Sequence, residues 1–169
     1  MIMLLYNKAI DLNHTLLRLV SILLEIDAKV VELDKIRIFD FVLANPFYIS
    51  QMSLGQEFLK DKNKFKDYLN RYQSFEPRML FESMRPIQDL AILQLVDMGA
   101  MQRVDDTTRF YLQPDNVPDE LASIALDKEN SVSLQAIKFI GDVLFGLELT
   151  GPRGLKQASK LMEYRYDVA

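Results

Sequence analysis

The chain has 169 residues, enough for one domain with an appendage, and its 49% hydrophobic and 26% charged residues are those of an ordinary globular protein. It has no Cys and a single His, which excludes disulfides, thiol nucleophiles, Cys-based zinc sites and any site needing two imidazoles; metal chemistry would rest on carboxylates alone. A net charge of −4 argues against a general nucleic-acid binder, and a low count of Gly and Pro (six each) leaves room for long helices.

The opening MIMLLYNKAI places its short apolar run before Lys8 rather than after a basic segment, so it does not read as a signal peptide. The densest apolar run, Leu19 to Leu24, is closed by Arg18 and Glu25 and falls far short of the roughly 18 apolar residues a bilayer span needs. The expectation is a cytoplasmic protein with its N-terminus intact and no membrane partner.

Residues 11–27 carry the strongest helical period. Leu12, Leu16, Leu19, Leu23 and Ile26 share one face, and Leu17, Val20 and Leu24 form a second stripe. Such a helix is either buried on two sides of its own core, or offers the stripe with Leu16, Leu19 and Leu23 to another chain. A second helix, 33–44, places Leu33, Ile36, Phe39 and Leu43 together and stops at Asn45-Pro46. Residues 47–54 are compatible with an extended segment, in which Phe47 and Tyr48 are partner anchors or core residues. Residues 56–73 read as a charged helix whose Lys60, Lys62, Lys64 and Lys66 scatter around its axis, and 74–85 as irregular. A clear helix follows at 86–98, with Pro86 at its first position and Gly99 as its C-terminal cap. Met101–Val104 and Thr108–Leu112, joined by Asp105-Asp106-Thr107, read as a hairpin. Past the boundary at Pro114–Pro118 come helices at 119–127, 131–148 and 155–164, the last with Arg153, Lys156 and Lys160 as a candidate contact for phosphate or an acidic partner.

The chain carries no Walker loop, dinucleotide fingerprint, nucleophile elbow or H-E-x-x-H. His14 has no Ser in a nucleophile context beside it, and Asp27, Glu32 and Asp34 match no calcium loop. No catalytic, cofactor or metal residue is assigned. Helix, glycine, strand, turn, strand is the ending of a winged helix. However, the polar positions of its reading helix (Arg85, Gln88, Asp89, Gln94 and Asp97) include one cation and two acids. Asp105 and Asp106 at the wing tip would repel phosphate, so these charges suit a protein contact better.

The runs YNKAIDLNHTLLRLVSILLE and LDKIRIFDFVLANP, then LVDMGAMQRV and RFYL, resemble the middle components of bacterial ABC-three-component systems, including the small subunit of Lamassu-type anti-phage defence. The second run carries Leu33, Asp34, Ile36, Ile38, Phe39, Asp40 and Phe41 in the pattern L-D-x-[LI]-x-[LIF]-[FY]-D-[FY], and the likeness covers about residues 5–113. The resemblance implies a non-enzymatic adaptor without cofactor. Its partners would be an ABC/SMC-like ATPase and an effector, often a nuclease, of the same operon, with DNA met only through the complex. The expected fold is mainly α, with a winged-helix-like domain at 1–113 bearing a small hairpin wing and a C-terminal helical extension at 119–169. Leu16, Leu19, Leu23, Phe47, Tyr48, Asp105 and Asp106 are the candidate partner contacts. The alternative is a dimeric winged-helix transcription regulator.

Overall fold

The computed structural model describes residues 7–27, 29–68, 76–127 and 133–162. Helix α1, Leu12–Ile26, starts at Asp11, whose carboxylate accepts the His14 N–H at 2.9 Å. Thr15, Arg18 to Leu23 and Ile26 are all buried, because helices pack around α1 on several sides. The doubled apolar stripe is therefore the signature of a central helix. After the short strand β1, Val30–Glu32, helix α2 runs Leu33–Ala44 with every residue from Lys35 to Leu43 buried.

Two segments directly after α2 differ from expectation. Residues Pro46–Gln51 form a 3-10 turn rather than an extended segment: Pro46 takes its first position, the Tyr48 N–H reaches the Asn45 carbonyl at 2.9 Å, and Ile49 drops into the core. The charged helix at 56–73 is broken into a 3-10 turn at Gln56–Phe58, helix α3 at Leu59–Asn63 and a 3-10 turn at Lys64–Tyr68; residues 69–73 lie outside the described residues. Burial of Phe65, edge-on to Phe139 at 5.3 Å, pulls this stretch inward and tightens it.

Helix α4 is a single 21-residue helix, Pro77–Asp97, instead of starting at Pro86. Glu76 caps it by accepting the Arg78 and Met79 N–H groups, and Pro77 supplies the first-turn proline. Pro86 sits mid-helix on the exposed side, as does Glu82, whose carbonyl loses its partner where water can replace it. The buried stripe Leu80, Phe81, Met84, Gln88, Ala91, Ile92 and Leu95 runs past the proline without interruption. Gly99 ends the helix as expected. At φ +78° its N–H reaches Val96 and that of Ala100 reaches Leu95, both at 2.9 Å, the double closure that favours a left-handed glycine.

Strands β2, Met101–Arg103, and β3, Arg109–Leu112, form the expected hairpin, and β1 adds antiparallel to β3 in the order β1-β3-β2. Val31, Met101, Phe110 and Leu112 point to the core, while Val30 and Tyr111 pair on the outer face. The remaining helices are α5, Asp119–Leu126, α6, Leu134–Asp142, and α7, Leu155–Ser159. The last two are shorter than expected, since Val143 leads into a 3-10 turn at Leu144–Gly146 and Lys160, at φ +58°, terminates α7. Residues 163 and 164 of the expected last helix lie outside the described residues. Among the described residues, one hydrophobic cluster joins α1, α2, α4 and the sheet to α5, α6 and α7.

Phe81 is fully buried and meets Phe41 edge-on at 5.9 Å. Phe81→Ala should cost about 3–5 kcal/mol in urea unfolding, whereas Leu93→Ala on the exposed side of α4 should stay within about 0.5 kcal/mol.

Candidate functional site

Charged side chains inside this core form one connected network. Arg18 of α1 donates from Nε to Asp40 Oδ1 of α2 at 2.6 Å and from Nη2 to Oδ2 at 3.3 Å. Its remaining donors reach Thr15 Oγ1 at 2.9 Å, the Ala9 carbonyl at 3.1 Å and the Lys8 carbonyl at 3.0 Å. Gln88 of α4 donates to Asp40 Oδ2 at 2.8 Å and to the Arg37 carbonyl at 3.3 Å, and its own oxygen accepts from Arg37 at 3.1 Å. Arg37 then reaches the surface through Asp89 at 2.7 Å. The side chains of Arg18 and Asp40 are 5% and 0% exposed. Each carboxylate oxygen of Asp40 is occupied, which makes this a clamp among three helices rather than an open reaction centre.

Sequence reading missed this network, although the signal was present: Arg18 and Asp40 are charges inside runs of apolar residues, where an unpaired ion would be costly. A reading helix would turn Gln88, Asp89 and Arg85 to a groove. Gln88 and Asp89 are instead used by Arg37, and Arg85 Nε pairs with Glu82 at 3.1 Å.

The candidate partner residues fall at separate places. Leu19 and Leu23 are each 2% exposed and are taken up by the chain's own core, with Leu16 packed against it. Phe47 is half-buried. Tyr48 packs edge-on to Phe41 at 5.1 Å and donates its hydroxyl to the Ser159 carbonyl, joining the 3-10 turn to α7. Burial, aided by Glu76, pushes its phenol above the ordinary tyrosine range. Asp105 and Asp106 are exposed on the hairpin turn, with Asp105 in the left-handed region at φ +48°. Arg153 and Lys160 are exposed, but Lys156 is mostly buried and lies 3.7 Å from Asp34 of α2. Lys35 is likewise drawn inward: burial pushes its amine below the ordinary lysine range against the pull of Glu32 and Glu148, while Nζ donates to the Phe145 carbonyl at 3.0 Å. Among the described residues no group of three His, Asp or Glu is placed to hold a metal ion, and no helix is long and apolar enough to cross a membrane.

The outward side of α4 is the contrasting surface. Leu90, Leu93 and Val96 are 50%, 57% and 37% exposed, and Pro86–Met98 contains no Lys or Arg. Its buried stripe is apolar apart from Gln88, so this helix carries apolar residues on both its inner and its outer side. These features describe a small, mainly helical protein with a three-stranded sheet. The chain matches the model of ABC-three-component system middle component 5 over residues 4–167, and it belongs to that family. It is thus one component of a multi-component system. Neither a curated protein nor a solved structure matches it.

Asp40→Ala leaves Arg18 charged and buried and should cost about 3–5 kcal/mol in chemical denaturation. Tyr48→Phe should cost about 1 kcal/mol at neutral pH through the lost bond to Ser159. Because folding raises the Tyr48 pKa, its contribution is present below pH 10 and lost as pH rises through the folded value. The stability difference between wild type and Tyr48→Phe should therefore shrink in alkali, as read by denaturation at stepped pH.

Proposed function

We propose that this chain is the non-enzymatic adaptor of its three-component system, coupling an ABC/SMC-like ATPase to an effector, often a nuclease, in cytoplasmic anti-phage defence of the Lamassu type. The order α1-β1-α2-α3-α4-β2-β3, in which α3 is a five-residue insertion, together with the sheet order β1-β3-β2, supports reading the core as a winged helix with a C-terminal helical extension, and α4 then holds the position of the reading helix. A DNA-reading helix sets basic and amide side chains toward base edges and phosphates. The outward face of α4 instead carries Leu90, Leu93 and Val96 with Asp97, and this observation carries the proposal. The exposed Asp105 and Asp106 at the wing favour the same reading.

The adaptor would act through differential contacts. ATP- or DNA-driven movement of the ATPase changes which surfaces of this subunit are engaged, and that repositions the effector. DNA is met only through the assembled complex.

Co-expression of the tagged chain with the ATPase and effector should yield a stable complex, and the chain alone should leave duplex DNA unshifted at low salt. A lone dimer that binds a specific duplex, with affinity falling steeply in salt, would favour a transcription regulator instead. Replacing Asp105 and Asp106 by Lys should weaken complex formation; tighter DNA binding with the complex intact would turn the wing toward phosphate.

A further inference from the structure

The exposed face of α4 has a period. Met79, Pro86, Leu90 and Leu93 are separated by steps of seven, four and three, so they fall on one line along the helix directly opposite its buried stripe. Met79 is 70% exposed and Leu90 and Leu93 at least half exposed. Heptad spacing makes a seam the width of one partner helix, narrower than the face a helix presents to a globular core.

The charges along this seam are ordered. Toward its N-terminus Glu82 is matched by Arg85, and midway Asp89 is matched by Arg37 of α2. Toward its C-terminus the exposed Asp97 joins the negative end of the helix dipole, and the last turn holds no basic residue. That end calls for a positive partner, which an antiparallel helix supplies through its own N-terminal dipole and a Lys or Arg. A second copy of this chain fits poorly. Antiparallel pairing of two α4 seams through Leu90 would set Asp97 of each copy opposite Ser83 and beside the Glu82–Arg85 pair, which offers it no unpaired cation, and parallel pairing would oppose the two Asp97 carboxylates.

We propose that the α4 seam is the docking site for a single amphipathic helix of another component of the system, running antiparallel to α4, with apolar residues at heptad spacing and a Lys or Arg where it passes Asp97. The proposal rests on the adaptor reading and names the surface through which one partner is held.

A photoreactive benzoylphenylalanine placed at Leu93, with Ser123 on α5 as an exposed control, would be irradiated in cells making all components, and the linked peptide sequenced. Leu93 should link to one segment of another component whose apolar residues recur at heptad spacing, and Ser123 should not. Links from Leu93 to DNA, to a second copy of this chain, or at no more than the Ser123 level would overturn the proposal. The double variant Leu90→Glu, Leu93→Glu should keep the wild-type melting profile, since both positions are exposed, and should lose at least about tenfold in affinity for that component. Asp97→Lys should weaken the same contact, and reversing the basic residue in the linked segment should restore it. If wild type retains its partners and the double variant retains them equally, the seam is wrong and the adaptor reading survives. If wild type retains none, both fall.

Discussion

The ion pair between Arg18 and Asp40 is the interaction on which the helical packing turns. Moving an arginine and a carboxylate out of water costs several kcal/mol per ion, and attraction repays it only when the remaining donors and acceptors are also served. Here they are. Asp40 accepts from both Arg18 and Gln88, and Arg18 uses its other donors on Thr15 and on the carbonyls of Lys8 and Ala9. The price of burial is thus converted into geometry. An apolar core of similar volume would tolerate several rotations of α1, α2 and α4 against one another, whereas this network satisfies its bonds in one.

That geometry decides what α4 shows to its surroundings. Gln88 ties α4 to Asp40 and to Arg37 of α2, and Arg37 continues to Asp89 one residue further along α4. The polar positions on that side of the helix are consumed inside the molecule, and the opposite line of Met79, Pro86, Leu90 and Leu93 is turned to solvent. The same network that stabilises the fold therefore leaves the stretch Pro86–Met98, which has no Lys or Arg, with Leu90, Leu93 and Val96 turned outward.

How much of this was legible in the sequence varied with the length scale of the signal. The period of residues 11–27, the stop at Asn45-Pro46, the cap at Gly99 and the hairpin turn at Asp105-Asp106 are local, and each appears where the residues place it. The exceptions are set by distant partners. Pro86 reads as a helix start, yet Glu76 and Pro77 begin the helix nine residues earlier and the core stripe carries it past the proline. Val30–Glu32 is too short to stand out and becomes a strand because β3 is there to pair with it. The Asp40-Phe41 pair that marks the resemblance to the family reads as a motif of unknown purpose, and its role is visible once Arg18 and Gln88 are seen to converge on the carboxylate. That Leu90 and Leu93 of α4 point outward follows from the register of the buried stripe, set by Phe81, Met84 and Gln88, in a helix that starts nine residues before Pro86.

The most direct test of the account is amide hydrogen exchange on the chain alone and within the assembled three-component complex. The account predicts new protection concentrated in residues 89–98, the end of α4 and its cap, while the amides of α1 and α2 around Arg18 and Asp40 remain equally slow in both states. Unchanged exchange across 89–98 in a complex that contains the chain, or protection of that segment by duplex DNA alone, would contradict it.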